Sequence, residues 1–293
     1  MAELILSRFA DAQEWHRQVG AQQWAGLAWG AASDPPVLLL HGWLDNAGSF
    51  APLARQLPKR RLWIPDLPGH GRSGHKPAGT WYHFVDYVSD LMALADALSL
   101  DRFDLIGHSM GGAIATLLAA SFPERVDRLV LIEALGPLSR PAEAAVIDLR
   151  KAVQARLALN GKQLKVHIDL TKARAARMAA NQLSEDAADN LIERALVAVP
   201  GGHVWSSDPR HTLPTPIRGT KRQYLALLNA ITAPTLIILA DPATSYLTGP
   251  ESDERLKALR PQRAERLPGG HHLHLENSVE VGQVIGEFLG GPS

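Results

Sequence analysis

A serine flanked by glycines occurs in the run Gly-His-Ser-Met-Gly-Gly, which begins at Gly107. An apolar run, Phe103–Ile106, precedes it, and small apolar residues, Met110–Phe122, follow it. Where a strand turns sharply into a helix, the positions two residues to either side of the turn must be small, and glycines at 107 and 111 meet that demand. We therefore expect Ser109 at a tight strand–helix turn, with its hydroxyl placed to act as a nucleophile.

A base must activate that hydroxyl, because serine is a poor nucleophile at neutral pH. Three histidines near the end of the sequence are candidates: His271, His272 and His274. His271 comes first after two flexible glycines that follow a predicted last strand, and we expect it to be the base. A histidine-rich tract can also bind a metal. We expect no metal here, since His274 and Glu276 fit a helix start and no carboxylate-rich partner segment is evident.

The base in turn needs a carboxylate that orients it, and two residues are candidates. Glu133 ends the apolar strand Leu129–Ile132, where an unpaired buried charge is costly, so His271 would be its partner. Asp241 follows the apolar run Thr235–Ala240 and is the alternative acid. An Asp-Pro pair such as this one is also typical of the start of a turn.

Backbone N–H groups near the serine could stabilise an oxyanion. The strand Val37–Leu40 leads directly into His-Gly-Trp, and Gly42 lets the backbone fold back so that the N–H of Trp43 can face Ser109. The N–H of Met110, at the start of the following helix, would be the second donor. Removal of one such donor typically costs about 10²–10³ in turnover.

Short apolar runs closed by Gly, Pro or Asp are the strongest strand candidates. They are Val37–Leu40, Leu62–Pro65, Phe103–Ile106, Leu129–Ile132, Thr235–Ala240 and, more weakly, Ala264–Leu267, with an N-terminal strand at Gln22–Trp29. Helical patterns lie between or after them at Trp81–Leu100, Met110–Phe122, Glu251–Leu259 and Val279–Leu289. This alternation predicts an α/β fold with a mostly parallel sheet and helices on both faces.

The region from Pro137 to Gly219 interrupts the alternation with Ala-rich helical stretches and no convincing buried strand. One apolar stripe there consists of Val146, Leu149, Val153 and Leu157. A capped helix start is predicted at Ser184, followed at helical spacing by Leu191, Ile192, Leu196 and Val199. We expect residues 1–136 and 220–293 to form the core, and residues 137–219 to be a helical insertion over one end of the sheet.

Composition excludes several classes of protein. The 293 residues carry 30 Lys+Arg against 30 Asp+Glu, so no basic excess favours nucleic acid or an anionic membrane. The absence of cysteine excludes disulfides and thiolate chemistry. No run approaches the length of a membrane span, and Arg8 and Asp11 interrupt the apolar start of the chain. We expect a cytoplasmic protein with a small-molecule substrate; the sequence gives no oligomeric state.

Taken in chain order, His41-Gly42, the Gly-x-Ser-x-Gly run around Ser109 and the Gly-Gly-His run that ends at His271 resemble the α/β-hydrolase superfamily. The loop Pro65–Ser73 has the same resemblance. More narrowly, the runs around Trp43 and Ser109 are similar to the serine hydrolase-like proteins. The resemblance implies the α/β-hydrolase fold, no cofactor, and a helical cap inserted after the sixth strand.

The chain departs from the superfamily pattern at the acid. In many members, an Asp lies two residues past the glycine that ends the seventh strand, where this chain has Ala243. Some relatives, including certain haloalkane dehalogenases, carry the acid at the position that matches Glu133. We therefore expect Glu133 to be the acid and keep Asp241 as the alternative.

The function expected from these residues is a serine hydrolase of the carboxylesterase class. It would cleave an ester, thioester or lactone through an acyl-enzyme, with a triad of Ser109, His271 and Glu133. Two alternatives remain open. Hydrolysis of a carbon–carbon bond in a diketone uses the same triad, and a non-catalytic binding module on the same fold would keep the pocket but lose the triad geometry.

Overall fold

An eight-stranded sheet is the centre of the computed structural model, which describes residues 8–159, 166, 169–244 and 247–290. The strands in these ranges are β1 Gln13–Val19, β2 Gln22–Trp29, β3 Pro36–Leu40, β4 Arg61–Pro65, β5 Phe103–His108, β6 Val126–Ile132, β7 Leu196–Val199, β8 Gly202–Trp205, β9 Thr235–Asp241 and β10 Arg263–Pro268. The helices are α1 Ala51–Ala54, α2 Phe84–Ala97, α3 Met110–Ser121, α4 Ala145–Leu159, α5 Leu170–Asn181, α6 Glu185–Ala195, α7 Lys221–Ala230, α8 Pro250–Leu259, α9 Leu273–Glu276 and α10 Ser278–Gly290. Residues 1–7, which belong to the apolar start of the chain that Arg8 and Asp11 interrupt, lie outside the described ranges.

The sheet is mostly parallel. Its strand order is β1-β2-β4-β3-β5-β6-β9-β10; β1 pairs antiparallel with β2, and β2 pairs antiparallel with β4. Every pair from β4 onwards is parallel. The carboxyl ends of these strands therefore lie at one edge, which is where ligands bind in open α/β sheets. The predicted fold class is confirmed.

Side chains on the central strands alternate between two apolar cores, as the pleat of a strand requires. Leu38 and Leu40 of β3 pack in the core that contains residues of α2, α3 and α7, whereas Val37 and Leu39 pack in the core with α1 and α10. Because both faces are covered by helices, the central strands are apolar throughout, and this explains why continuous apolar runs identified them.

The segment between β6 and α7 contains helices α4, α5 and α6 and the two-stranded hairpin of β7 and β8. The side chain of Ser184 accepts a hydrogen bond from the N–H of Ala187, which confirms the predicted cap of α6. The expectation that Leu196 and Val199 continue this helix is wrong, since the helix ends at Ala195 and both residues lie in β7. A turn at Pro200-Gly201-Gly202, in which Gly201 has φ of +86°, connects β7 to β8. Because the chain reverses direction there, the two strands pair antiparallel.

Helix α4 carries the predicted apolar stripe, but its side chains face solvent in this chain. Those of Val146 and Leu157 are 81% and 67% exposed, and Leu149 and Val153 are also exposed. The apolar residues of α4 therefore have helical periodicity, but no other part of the described ranges covers their side chains. None of the helices there has both the length and the apolar character that crossing a bilayer requires.

Candidate active site

Ser109 lies in a strained turn between β5 and α3. Its φ is +51° and its ψ is −113°, a backbone conformation that non-glycine residues rarely adopt. A Cβ at Gly107 would lie 2.6 Å from the carbonyl oxygen of Gly111, and one at Gly111 would lie 2.0 Å from the carbonyl oxygen of Leu40. Both glycines are therefore required by close backbone contacts, and the turn has the placement that the sequence predicts.

His271 lies between Ser109 and Glu133. It belongs to the loop that joins β10 to α9, and its Nε2 is 2.9 Å from Ser109 Oγ. On the other side of the ring, Nδ1 is 3.1 Å from Glu133 Oε2. A carboxylate can only accept, so the hydrogen bonds assign the imidazole proton to Nδ1 and leave Nε2 free to accept from the serine hydroxyl.

Glu133 is held by backbone and side-chain donors at the end of β6. Its side chain is 1% exposed, and its Oε1 accepts from the N–H of Ala240 at 2.7 Å. Its Oε2 accepts from the hydroxyl of Thr244 at 2.7 Å. These bonds compensate the carboxylate for lost water and fix its orientation toward His271.

Asp241, the other candidate acid, ends β9 with its side chain exposed. Its backbone carbonyl accepts from the N–H of Gly269 at 3.2 Å, which joins β9 to the loop that carries His271. The structure therefore brings Ser109, His271 and Glu133 together in one hydrogen-bonded row, and it gives Asp241 a backbone role beside them.

The loop of Trp43 lies directly beside the start of α3. The ring of His41 fixes this loop, because its Nδ1 is 2.8 Å from the carbonyl oxygen of Gly42 and its Nε2 accepts from the N–H of Leu67 at 2.9 Å. The close approach of Gly111 to the carbonyls of Leu40 and His41 brings this loop against the helix that begins at Met110. The two backbone N–H groups predicted as oxyanion donors thus belong to adjoining segments.

A cavity of about 920 Å³ opens above Ser109. Its lining includes the aromatic side chains of Trp43, Trp81, Tyr82, Phe84 and Tyr87. Leu138, Leu213 and Leu247 add apolar surface. Arg140, Arg210 and Arg255 also line the cavity, each in an ion pair, with Asp148, Asp208 and Glu251 respectively. Trp205 lies in β8 and is not part of the lining. A space of this kind suits a largely apolar small molecule with a few polar groups.

A buried ion pair attaches the segment between β6 and α7 to the loop after β4. Arg194 of α6 and Asp66 both have fully buried side chains, and Arg194 Nη2 is 2.6 Å from Asp66 Oδ2. Burial alone would raise the pKa of Asp66, but the facing guanidinium outweighs it and lowers that pKa.

A second contact attaches the same segment to the loop after β3, because the indole N–H of Trp43 donates to the carbonyl of His211 at 3.1 Å. Burial lowers the pKa of His211 to about 4, so its ring is neutral at pH 7.

A group of buried polar side chains lies behind the active site, and the sequence patterns did not identify it. Asp45, His108, His272 and His274 are each at most 4% exposed. Burial lowers the pKa of His108 and of His274 well below the ordinary value. Burial alone would raise the pKa of Asp45, but His272 and Arg177 outweigh it and hold that pKa well below its usual range. The histidine-rich run at 271–274 was a visible signal, whereas nothing in the sequence marked Asp45 as its partner.

Comparisons with known proteins agree with this architecture. A family model described as alpha/beta hydrolase fold matches residues 35–278. The serine hydrolase-like protein of Danio rerio is 34% identical over 288 residues, covering 95% of this chain and 88% of the relative. Human serine hydrolase-like protein 2 is 30% identical over 284 residues, covering 90% of each.

Solved structures with a similar fold are also found among the comparisons. The crystal structure of a hypothetical protein from Pseudomonas aeruginosa PAO1 is 38% identical with a TM-score of 0.90, covering 95% of this chain and 100% of that one. A thioesterase domain from the curacin biosynthetic pathway is 28% identical with a TM-score of 0.79, covering 94% of this chain and 98% of that one.

Proposed function

The chain belongs to the α/β-hydrolase fold family, and on that basis we propose that it is a serine hydrolase that cleaves a carboxylic ester, thioester or lactone. The observation that carries the proposal is the row of Ser109, His271 and Glu133, with Ser109 Oγ 2.9 Å from His271 Nε2 and His271 Nδ1 3.1 Å from Glu133 Oε2. These are the separations at which a base can take the proton of a nucleophile while a carboxylate orients the base.

Acylation starts with attack of Ser109 Oγ on the substrate carbonyl carbon. As the new C–O bond forms, the hydroxyl proton moves to His271 Nε2, and Glu133 stabilises the resulting imidazolium through Nδ1–H. The imidazolium then gives this proton to the leaving oxygen or sulfur as its bond to the carbonyl carbon breaks. Glu133 remains ionised throughout and acts by orientation and charge.

The N–H groups of Trp43 and Met110 stabilise the tetrahedral oxyanion in this proposal. The contact between the loop of Trp43 and the start of α3 supports this assignment, and the N-terminus of α3 adds the favourable end of the helix dipole. Water then attacks the acyl-enzyme, with His271 again as the base. Collapse of the second tetrahedral intermediate releases the acid and restores the serine.

We assign residues 137–219 as the cap over this site. Support comes from the cavity lining, which takes Leu138, Arg140, Arg210 and Arg218 from this segment, and Ser109 and His271 from the core. The thioesterase domain among the solved relatives supports inclusion of thioesters in the substrate class. Because Trp43, Met110 and Leu135 are among the apolar residues that line the cavity together with Ser109, we expect acyl groups with substantial apolar surface to be preferred.

Labelling with a fluorophosphonate probe tests the proposal without knowledge of the substrate. The probe reacts with an activated serine, so peptide mapping should find the adduct on Ser109, and the Ser109→Ala and His271→Ala variants should not be labelled. Short-chain aryl esters and a diketone then distinguish ester hydrolysis from cleavage of a carbon–carbon bond. A folded wild-type chain that takes up no probe and turns over neither substrate would instead identify a binding module.

A further inference from the structure

Asp45, His108 and His272 place three ligand-type atoms around one buried point; we name these residues the His–Asp cluster. Asp45 Oδ2, His108 Nδ1 and His272 Nε2 all lie within 4.8 Å of one another. The side chains are 2%, 1% and 4% exposed, respectively. They come from the loop after β3, the end of β5 and the loop after β10, so the sheet edge itself brings them together.

His108 presents a lone pair to the cluster. Its Nε2 is 2.8 Å from the carbonyl oxygen of His271, which can only accept, so the proton of the neutral ring lies on Nε2. Its Nδ1 is therefore an acceptor, and it is buried with no hydrogen-bond partner in the described ranges. The nearest carboxylate oxygen, Asp45 Oδ2, lies 3.8 Å away. Two acceptors that face each other at this distance in a buried place repel unless a cation or a donor lies between them.

Gly42 leaves room at this point. A Cβ there would lie 2.8 Å from Asp45 Oδ2 and 2.9 Å from His108 Nδ1, so any other residue would fill the space beside both atoms. Two ligand atoms can each lie about 2.1 Å from one zinc ion only if they are no more than about 4.2 Å apart. Asp45 Oδ2 satisfies this limit with both histidines, since it lies 3.8 Å from His108 Nδ1 and 3.3 Å from His272 Nε2.

Contrary to the expectation of no metal that was drawn from the sequence, we propose that the His–Asp cluster binds one divalent first-row transition ion, with Zn²⁺ as the representative, through Asp45 Oδ2, His108 Nδ1 and His272 Nε2. Two imidazoles and one carboxylate suit Zn²⁺, Co²⁺ or Ni²⁺, whereas Mg²⁺ and Ca²⁺ prefer oxygen ligands alone. Three protein ligands with a water in the fourth position form a known zinc arrangement.

The neighbours of the cluster are compatible with binding. Arg177 bonds the other carboxylate oxygen, Asp45 Oδ1, and so leaves Oδ2 for the ion. In the structure, His272 Nε2 lies 3.3 Å from Asp45 Oδ2. To bind the ion, Nε2 must present its lone pair, so the proton of the neutral ring must lie on Nδ1. That nitrogen has no hydrogen-bond partner among the described residues. His108 Nε2 keeps its hydrogen bond to the backbone carbonyl of His271, and this bond fixes the orientation of the ligating ring.

The ion is not part of the proposed hydrolytic reaction, so the two proposals can be tested separately. None of the three ligands belongs to the row of Ser109, His271 and Glu133. Metal binding should therefore be the same in the wild type and in Ser109→Ala. If Ser109→Ala binds Zn²⁺ and the wild type shows no hydrolase activity, the metal site stands and only the proposed function fails.

The direct measurement uses full-length protein from which any affinity tag has been removed and any metal stripped with a chelator. After addition of Zn²⁺ and desalting, elemental analysis should find about one Zn²⁺ per chain, because the cluster offers one set of three ligands. Co²⁺ in place of Zn²⁺ should give the visible absorption of nitrogen-ligated cobalt of low coordination number, and Mg²⁺ should not compete. A wild-type chain that retains no Zn²⁺ and gives no cobalt spectrum overturns the proposal, whether or not any variant folds.

Variants locate the ion. Even the loss of an outer-shell partner typically weakens metal binding about 10–100-fold, so His272→Gln and Asp45→Asn should each raise the Kd for Zn²⁺ by about 100-fold or more. His16→Gln is the matched control, because His16 is 58% exposed and lies 3.9 Å from a carboxylate oxygen of Glu14. Far-UV circular dichroism establishes that each variant is folded. Wild-type affinity in a folded His272→Gln, or equal loss in His16→Gln, means that the bound metal lies elsewhere and overturns the assignment.

Discussion

Ser109 and Glu133 both have φ of +51°, and they directly follow the neighbouring parallel strands β5 and β6. The N–H of Ser109 donates to the carbonyl of Ile132, the residue before Glu133, at 3.0 Å. Backbone strain of this kind persists only where the surrounding structure holds it, and here the sheet holds both residues. The two strained turns direct a hydroxyl and a carboxylate to the same edge, where His271 lies between them.

Removal of the hydroxyl should abolish turnover while the strain of the turn remains measurable. Ser109→Ala should lower kcat/KM for a short-chain aryl ester by about 10⁴-fold or more. Ser109→Gly should be equally inactive but more stable than Ser109→Ala by about 1–3 kcal/mol, because glycine adopts this backbone conformation without strain. Urea unfolding monitored by circular dichroism measures the difference, and equal stability of the two variants would contradict the strain.

The two candidate acids can be separated by paired amide substitutions. Glu133→Gln keeps the shape of the side chain but removes the charge that stabilises the imidazolium, so we expect turnover to fall by about 10³–10⁴-fold. Asp241→Asn is the matched change at an exposed side chain, and we expect turnover within a few-fold of wild type. Steady-state kinetics on the same ester decides between them. The reverse pattern, in which Asp241→Asn is the damaging change, would falsify the assignment of Glu133.

The buried ion pair between Arg194 and Asp66 should be important for stability. Arg194→Met leaves the carboxylate of Asp66 buried without its counter-charge, and such a change typically costs about 3–5 kcal/mol. Arg102→Met is a suitable control, because the Arg102 and Asp127 side chains are 58% and 41% exposed; exposed pairs contribute about 0–1 kcal/mol. Denaturant unfolding of both variants measures the two free energies of unfolding. Similar decreases in the two variants would show that burial does not make the Arg194–Asp66 pair more important for stability than an exposed pair.

The pH dependence of stability should reveal Asp104 at the start of β5. Burial raises its pKa to about 6, against the opposing effect of Arg60 at 3.2 Å and Arg128 at 4.0 Å. Because the folded state holds this proton more tightly than the unfolded state, stability contributed by Asp104 is lost as the pH rises from about 4 to about 6.

Asp104→Asn should remove that loss. Relative to wild type, the variant should gain about 1–3 kcal/mol between pH 4 and pH 7, with no further gain above pH 7. Asp101→Asn, at an exposed neighbouring position, is the control. Urea unfolding at each pH gives the two curves, and a difference that is flat across this range would rule out the raised pKa as its source.

The sheet and the row of site residues were predictable because each depends on local patterns. Continuous apolar runs mark strands covered on both faces, and the carboxyl ends of parallel strands meet at one edge, so Ser109 and Glu133 had to be neighbours once the order of β5 and β6 was known. The glycines at 107 and 111 marked the tight turn for the same reason, since steric demand there is set by residues close in sequence.

Other features depend on contacts that spacing does not reveal. Leu196 and Val199 fit helical spacing after Leu191, yet the turn at residues 200–202 pairs them with β8 instead. The stripe on α4 has the period of a packed helix, but periodicity gives no information on what covers it. Asp45 meets His108 and His272 only because the loops after β3 and β10 converge on the end of β5, so no sequence pattern could have indicated that meeting.

His271 enters the site from the loop after β10, the last strand along the chain. Synthesis proceeds from the N-terminus, so Ser109 and Glu133 are made before His271, and a chain that stopped before β10 would lack the base proposed for Ser109. Proteolytic loss of β10 and the helices behind it would have the same effect. The position of the proposed base therefore depends on the pairing of β10 with β9.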